Sequence, residues 1–345
     1  IEPAKILPAE KSQAAFWTKY GKFILVSLLI LSLGALFFAF RGYFYTKKGK
    51  RFSAESVKIT KLTMDGNCSD ASISADGNFI LCGYKTDDGA TLITRQIWAN
   101  SQVQLLPPQK NISFWAYRIT PDGNSVFYML HDNIDGSKDG LYQIPFLGGT
   151  PRKINESALH ITFSPDSKKI GFVRINPNEN QILTANLDGS DEKIITTYKV
   201  GHRIWGLTWS PDGKTLLCSA RLQTDENFIG FVDEISLDNG DKERVFENEK
   251  MVVSAAWMPD KTSIILGLKE LNSDIRQIWQ YFPSNKELLR VTNDNNIYRF
   301  PVLNQSGTII SVSQESNLSG IYVGESGSNE IKPITNENGY YGSLI

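Results

Sequence analysis

Cysteine and histidine are scarce in this chain, with three of each in 345 residues, and neither charge sign dominates, the formal net charge being −1. Each shortage excludes something. Cys68, Cys82 and Cys218 are odd in number and contain no CxxC pair. His131, His160 and His202 lack the HExxH-like spacing of a helical zinc site, so no metal ligand set is expected. A near-zero net charge offers no basic field for nucleic acid. Catalytic signatures are missing as well. There is no GxSxG elbow, kinase glycine loop, HRD catalytic loop, DFG triplet or Walker loop. Asp132-Asn133-Ile134-Asp135-Gly136 has the look of a calcium loop. With Gly136 as the required glycine, however, His131 falls on the first ligand position and Tyr142 where a bidentate Glu belongs. The expectation is therefore a chain without cofactor and without enzymatic activity within these residues.

What is present is a repeat. SADGNF at Ser74, TPDGNS at Thr120, SPDSKK at Ser164, SPDGKT at Ser210, MPDKTS at Met258 and a worn NQSGTI at Asn304 place their marker residues 46, 44, 46, 48 and 46 apart. A period of roughly 40–50 residues built from short strands signals a β-propeller or an array of similar units. Each phrase reads as a hairpin turn: Pro211 presets φ for the first central position, Asp212 suits the second, and Gly213 takes the left-handed conformation. Strand-like segments flank it, Trp205–Trp209 before and Thr215–Ala220 after. Two further strand-like pieces complete each unit, such as Leu141–Phe146 and Pro151–Ile154. Four strands make a blade, and no blade buries both faces alone, so stacking supplies the core. The fold class predicted is all-β: a propeller of four-stranded blades, six complete between about Ser69 and Thr335 plus a partial seventh at Gly339–Ile345, preceded by one transmembrane helix. Val57–Thr63 is expected as a lone outer strand.

The phrases SPDGKTLLCSA, LYQIPFLGGTPRKI and RQIWQYFPSNKELLRVT resemble TolB-type, WD40-like propeller repeats. The run from Ile59 to about Ile154 is similar to the C-terminal sensor-like regions of bacterial single-pass membrane proteins. In those, a cytoplasmic Ser/Thr protein kinase domain or a winged-helix DNA-binding domain precedes the span. The resemblance covers about residues 55–345. It implies a binding or sensing propeller on the extracytoplasmic side of the cytoplasmic (inner) membrane. Two alternatives stay open: the propeller of a prolyl-oligopeptidase-type serine hydrolase, and a TolB-like envelope scaffold.

Phe23–Phe40 is a run of 18 residues without a charge, long enough for a spanning helix, with Trp17, Tyr20, Tyr43 and Tyr45 on its flanks. The domains expected are thus 1–22 a juxtamembrane linker, 23–40 the span, 41–56 a linker and 57–345 the propeller. Lys and Arg flank the span almost equally and lean by one residue toward a cytoplasmic C-terminal side; the resemblance implies the reverse. The chain opens on Ile1 and stops where another turn phrase would begin, and reads as a piece of a longer protein.

In the first hairpin, the turn at 75–78 places Cys82 opposite Ala71, so three separate thiols are expected unless a bulge shifts the register. Candidate binding residues follow from the repeat. The entries to the innermost strands gather around one mouth of the channel and carry Trp115, Tyr117, Arg118, His160, His202, Arg203, Trp205, Tyr298, Arg299, Tyr340 and Tyr341. Arg118, His202, Arg203, Trp205, Tyr298 and Arg299 are the chosen set, because aromatics with arginine suit contact with a protein or small-ligand partner.

Overall fold

In the computed structural model, residues 31, 32, 34, 50–52, 57–60, 62, 68–99, 101–223, 228–269, 275–294, 296–307, 310–315, 322–324 and 331–333 are described. The chain divides into two compact units, Ile1–Lys50 and Arg51–Ile345. Of the first, Leu31, Ser32 and Gly34 are helical. The rest of the expected span at 23–40 lies outside the described residues. Among the described residues no helix is long and apolar enough to cross a membrane.

The second unit is a propeller. Blade one is β1 (Cys68–Ile73), β2 (Phe79–Thr86), β3 (Gly89–Gln96) and β4 (Gln102–Gln104). Blade two is β5 (Ile112–Ile119), β6 (Ser125–Asp132), β7 (Gly140–Pro145) and β8 (Arg152–Asn155). Blade three is β9 (Leu159–Phe163), β10 (Lys169–Ile175), β11 (Glu179–Asn186) and β12 (Lys193–Lys199). Blade four is β13 (His202–Trp209), β14 (Thr215–Gln223), β15 (Phe228–Ser236) and β16 (Lys242–Asn248). Blade five is β17 (Met251–Trp257), β18 (Ile264–Lys269), β19 (Arg276–Phe282) and β20 (Glu287–Arg290). The hairpin β21 (Ile297–Leu303) and β22 (Ile310–Glu315) follows, then the separate pair β23 (Tyr322–Gly324) and β24 (Ile331–Pro333). A single parallel bridge, Arg276 to Ile297, joins the β21 hairpin to blade five. The innermost strands touch in the order β1, β5, β9, β13, β17, β21, and β21 and β22 return to β1, so the ring closes.

Two expectations change here, and one goes untouched. Five four-stranded blades are found among the described residues, not six. The four strands beyond Thr292 form two separate hairpins, so repeat counting overstates the number of complete sheets. Residues 57–60 and 62 carry no strand where one was expected at Val57–Thr63. The partial blade at Gly339–Ile345 lies outside the described residues.

The second strand of each blade shows why stacking makes the core. In β6, Val126, Tyr128 and Leu130 pack toward blade one, with Leu81, Leu92 and Tyr117 in the same cluster. Phe127 and Met129, on the opposite face, join Ile161, Phe172 and Leu183 of blade three. Both faces of the strand are therefore buried, which is why it reads as an unbroken apolar run rather than an alternation. The same holds for β14, where Leu216, Cys218 and Ala220 face blade three and Leu217 faces blade five. The last joint takes in Phe52, packed with Met258, Ile265, Ile278 and Tyr298. The Phe52 amide donates to Gln280 Oε1 at 2.8 Å, and Arg51 forks Glu287 at 3.1 and 2.8 Å. A piece of the stretch expected as linker is thus seated on blade five.

The turn phrases carry more than Pro and Gly. Ser74, Thr120, Ser164 and Ser210 each donate from the hydroxyl to the Asp two residues on. The same hydroxyl accepts the amide five residues on, closing the turn from inside. Turn tips also tie neighbouring units: the Asp122 amide donates to Ser167 Oγ, Lys261 Nζ to Asp212, and the Gln305 amide to the Ala75 carbonyl across the seam.

Every innermost strand is bulged. The register slips between Cys68 and Ala71, Trp115 and Arg118, Leu159 and Thr162, Ile204 and Gly206, Val252 and Ser254, and Arg299 and Val302. In blades two and three the bulge holds Ala116 and His160 at φ of 47° and 50°, conformations that side-chain-bearing residues seldom adopt. In blade one the bulge brings Cys68 opposite Tyr84 while Cys82 stays opposite Ala71. That shift lets Cys68 reach Cys82, with their Cα atoms 5.7 Å apart, and the two form a disulfide. The expectation of three free thiols is corrected: Cys218 alone is free among them, and it is buried.

Candidate functional site

Bulges re-aim side chains, and on three adjacent inner strands they do so at neighbouring places. Arg118 leaves β5 just after its bulge, and its Nη1 donates to the Tyr117 carbonyl at 2.8 Å. His160 is the bulged residue of β9. Arg203 is the second residue of β13. The imidazole is pushed down to about 4, first by burial and then by the positive charges of Arg118 and Arg203. The three residues stand on the inner strands of blades two, three and four.

Arg203 continues into a stack. Its guanidinium lies 4.4 Å from the centre of the Trp205 ring. Arg221 lies 5.9 Å from the same ring and 5.4 Å from that of Phe228. Arg203 and Arg221 are direct cross-strand partners. The indole N–H of Trp205 is buried and finds no acceptor among the described residues. On blade two, Trp115 is 51% exposed and meets the His131 ring edge-on, while His131 Nδ1 sits 2.8 Å from Asp139.

The six chosen residues therefore separate. Arg118 and Arg203 stand on the blades either side of His160, and Trp205 lies against Arg203. His202 points the other way, against Tyr198 and Phe231 in the joint between blades three and four, with Nδ1 at 3.0 Å from the Lys199 carbonyl. Tyr298 is 1% exposed, and its hydroxyl donates to Asp294 at 2.5 Å; its ring fills the joint beside blade five. The Arg299 side chain, Tyr340 and Tyr341 lie outside the described residues. Arg221 and Phe228 were not anticipated. Counting across the Ser210–Gly213 turn places Arg203 opposite Leu222, and the bulge at Ile204 moves that partner to Arg221.

His160 makes a testable contribution to stability. Its folded value lies below the ordinary 6.5, so the folded state favours the neutral ring. The stability this confers is complete above about pH 6.5 and is lost as pH falls toward 4. Denaturation midpoints should decline across that window in the native chain and stay flatter in His160→Asn, a residue that tolerates the same positive φ. Parallel pH profiles for the two proteins would contradict this account.

Comparison with known proteins agrees with the geometry. The family model described as "WD domain, G-beta repeat" matches residues 192–224, which contain β12, β13 and the Ser210–Gly213 turn. An uncharacterized protein of Agrobacterium fabrum is 30% identical over 98 residues, and that match spans 28% of this chain and 32% of the relative. Among solved structures, TolB from Agrobacterium tumefaciens superposes with a TM-score of 0.59 at 16% identity, covering 76% of this chain and 96% of that one. Oligogalacturonate lyase from Vibrio parahaemolyticus superposes with a TM-score of 0.51 at 12% identity, covering 69% of this chain and 71% of that one. The fold is a β-propeller, one repeat of which matches the WD model. Within that class its fold is of the TolB kind.

Proposed function

We propose that this chain is the recognition propeller of a membrane-anchored bacterial signalling protein, and that it captures a protein or small-ligand partner with the rim built by Arg118, Arg203 and Trp205. The observation that carries this reading is the Arg203 guanidinium 4.4 Å from the Trp205 ring at the start of β13, on the same ring of inner strands as Arg118 of β5. Arginine and tryptophan are the residue types that dominate binding interfaces, and a rigid ring positions them. No catalytic role is assigned to these residues. The parent would carry a Ser/Thr kinase or winged-helix domain before a single span at 23–40.

The Cys68–Cys82 disulfide supports an extracytoplasmic position for the propeller, since such bonds persist in oxidising compartments. It weighs against the one-residue charge lean toward a cytoplasmic ring. Alkaline phosphatase fused after the propeller should be active in intact cells; an inactive fusion places the ring inside.

For binding, Arg118, Arg203 and Arg299 replaced together by Ala should abolish partner capture by the purified full chain. The melting temperature should hold, because substitutions away from the packed core usually cost under ~0.5 kcal/mol each. Unfolding of the triple variant would make these residues structural. Undiminished capture would move the binding face elsewhere on the ring. The reading frame upstream of Ile1 separates a signalling parent from an envelope scaffold.

A further inference from the structure

Each blade ends its third strand in a tight turn, and the second residue of that turn is its tip. In blades three, four and five the tips are Asp188, Asp238 and Ser284, all exposed. In the adjacent blades one and two they are Trp98 and Leu147, 76% and 80% exposed. A single apolar side chain on a surface is ordinary, but one turn position that becomes apolar in two neighbouring blades makes a patch. Half-buried rings connect the two tips. The Ile97 amide donates to the Asn78 carbonyl, which brings the turn that carries Trp98 to Phe79. The Phe79 ring meets that of Phe146, the residue before Leu147, edge-on at 5.2 Å.

These tips share a face with the repeated turn phrases. The residue before each tip donates its amide to the phrase of its own blade: Ile97 to Asn78, Phe146 to Asn124, Leu187 to Lys168 and Leu237 to Lys214. The propeller unit begins on that face as well. Arg51 forks Glu287, just past the third-strand turn of blade five, and Phe52 packs on Met258, the first residue of that blade's phrase. Arg203 and Trp205 stand at the other end of their inner strand.

We propose that this face rests on a lipid bilayer, with Trp98 and Leu147 set into the boundary between headgroups and acyl chains. The inference rests on the span at 23–40 proposed for the parent and names the face of the propeller that meets the membrane. Phe40 closes the 18-residue run without a charge, and Arg51 follows eleven positions later. A chain of that length reaches at most about 40 Å when fully extended. Tryptophan and leucine suit such a surface, since an indole sits at headgroup level and an aliphatic side chain in the acyl region beneath. Asp76, Asp122, Asp166 and Asp188 are exposed on the same face, so the contact comes from apolar insertion and not from attraction to anionic lipid. Two apolar tips would hold a free protein weakly. A tether makes the contact intramolecular, at an effective concentration on the order of mM. The opposite rim, with Arg203 and Trp205, is then turned away from the bilayer and open to a partner.

The test uses the full chain, carrying 5-fluorotryptophan, in nanodiscs of phosphatidylcholine. W98F and W205F assign the two fluorine NMR signals, and phosphatidylcholine with a 5-doxyl spin label broadens whatever lies at the bilayer boundary. Trp98 should broaden at least about fivefold more than Trp205. L147E should cut the broadening of Trp98 by about half or more with the melting temperature unchanged, because the tip is exposed. S284A, at a polar tip, should leave it as it is. Equal broadening of Trp98 and Trp205 in a chain that resists carbonate extraction overturns the proposal and leaves the span standing, as does native broadening in a folded L147E. Release by carbonate sinks the span and, with it, the tether on which this inference rests. If Trp98 is not broadened and W98E/L147E loses partner capture or self-association, the face belongs to a protein or to a second copy of this chain, and the bilayer is excluded.

Discussion

Asp233→Ala is expected to destabilise the propeller by about 3 kcal/mol, the cost of stripping one partner from a buried ion pair. Asp233 is 4% exposed on β15 of blade four. It accepts the hydroxyl of Tyr198 at 2.9 Å, from the outermost strand of blade three, and the Nε of Arg244. Arg244 in turn lies 3.8 Å over the Phe231 ring and bonds Glu247. Removing the carboxylate leaves a buried phenol without its acceptor and strips the half-buried Arg244 guanidinium of one of its two carboxylates. Burial, with Cys218 and Asp233 close by, already raises the Tyr198 hydroxyl well above its ordinary value, so the phenol cannot escape by ionising. The Cys218 thiol beside it is pushed up to about 12, chiefly by burial, and is equally inert. Asp233→Asn keeps an acceptor for Tyr198 and should cost distinctly less. Urea denaturation of the three proteins decides the matter. A loss under about 1 kcal/mol in Asp233→Ala would mean that the network only decorates the joint.

Breaking Cys68–Cys82 is the second large effect. The two residues are 14 apart, and a closed loop of that size is worth about 3 kcal/mol in the chain-entropy account. The bond also holds β1 to β2 where the ring closes, because β1 meets β21 and β22 there. Reduction should lower the melting temperature of the native chain and of Cys218→Ala equally. It should leave the double variant Cys68→Ala with Cys82→Ala unmoved at its already lower value. Alanine is preferred to serine at Cys82, which is 1% exposed and would bury an unpaired hydroxyl. Thiol titration in denaturant should find one free thiol in protein made in an oxidising compartment; three would remove the bond from the account.

Both effects concern contacts that the sequence does not display. The turn phrases were legible because their chemistry is local. Ser210, Asp212 and Gly213 fix one hairpin within a few residues, and the recurrence of that hairpin names the architecture. The four strands per blade followed, since apolar runs of strand length lie between the turns. The worn copy at Asn304 was legible as a turn, yet it did not guarantee a complete sheet. β21 with β22 and β23 with β24 pair separately in the structure.

The rim was legible in part. Arg203 and Trp205 were found from their place in the first half of an inner strand, whereas Arg118 stands near the end of β5. Tyr298 has the same place and is buried, because the burial of a strand residue depends on the neighbouring blade and not on its own repeat. His160 gains its role from Arg118 and Arg203, which lie 42 and 43 residues away on other strands. The disulfide turned on one bulged residue between Cys68 and Ala71, which strict two-residue alternation cannot anticipate.

The sequence by itself determined the repeat, the strands and turns within each unit, and the need for units to stack, because these depend on local backbone preference and on apolar content. The tertiary structure decided which strands are bulged, which cysteines join, which aromatics are packed and which cations lie against them, because these depend on how the closing ring brings distant residues to one joint or one rim.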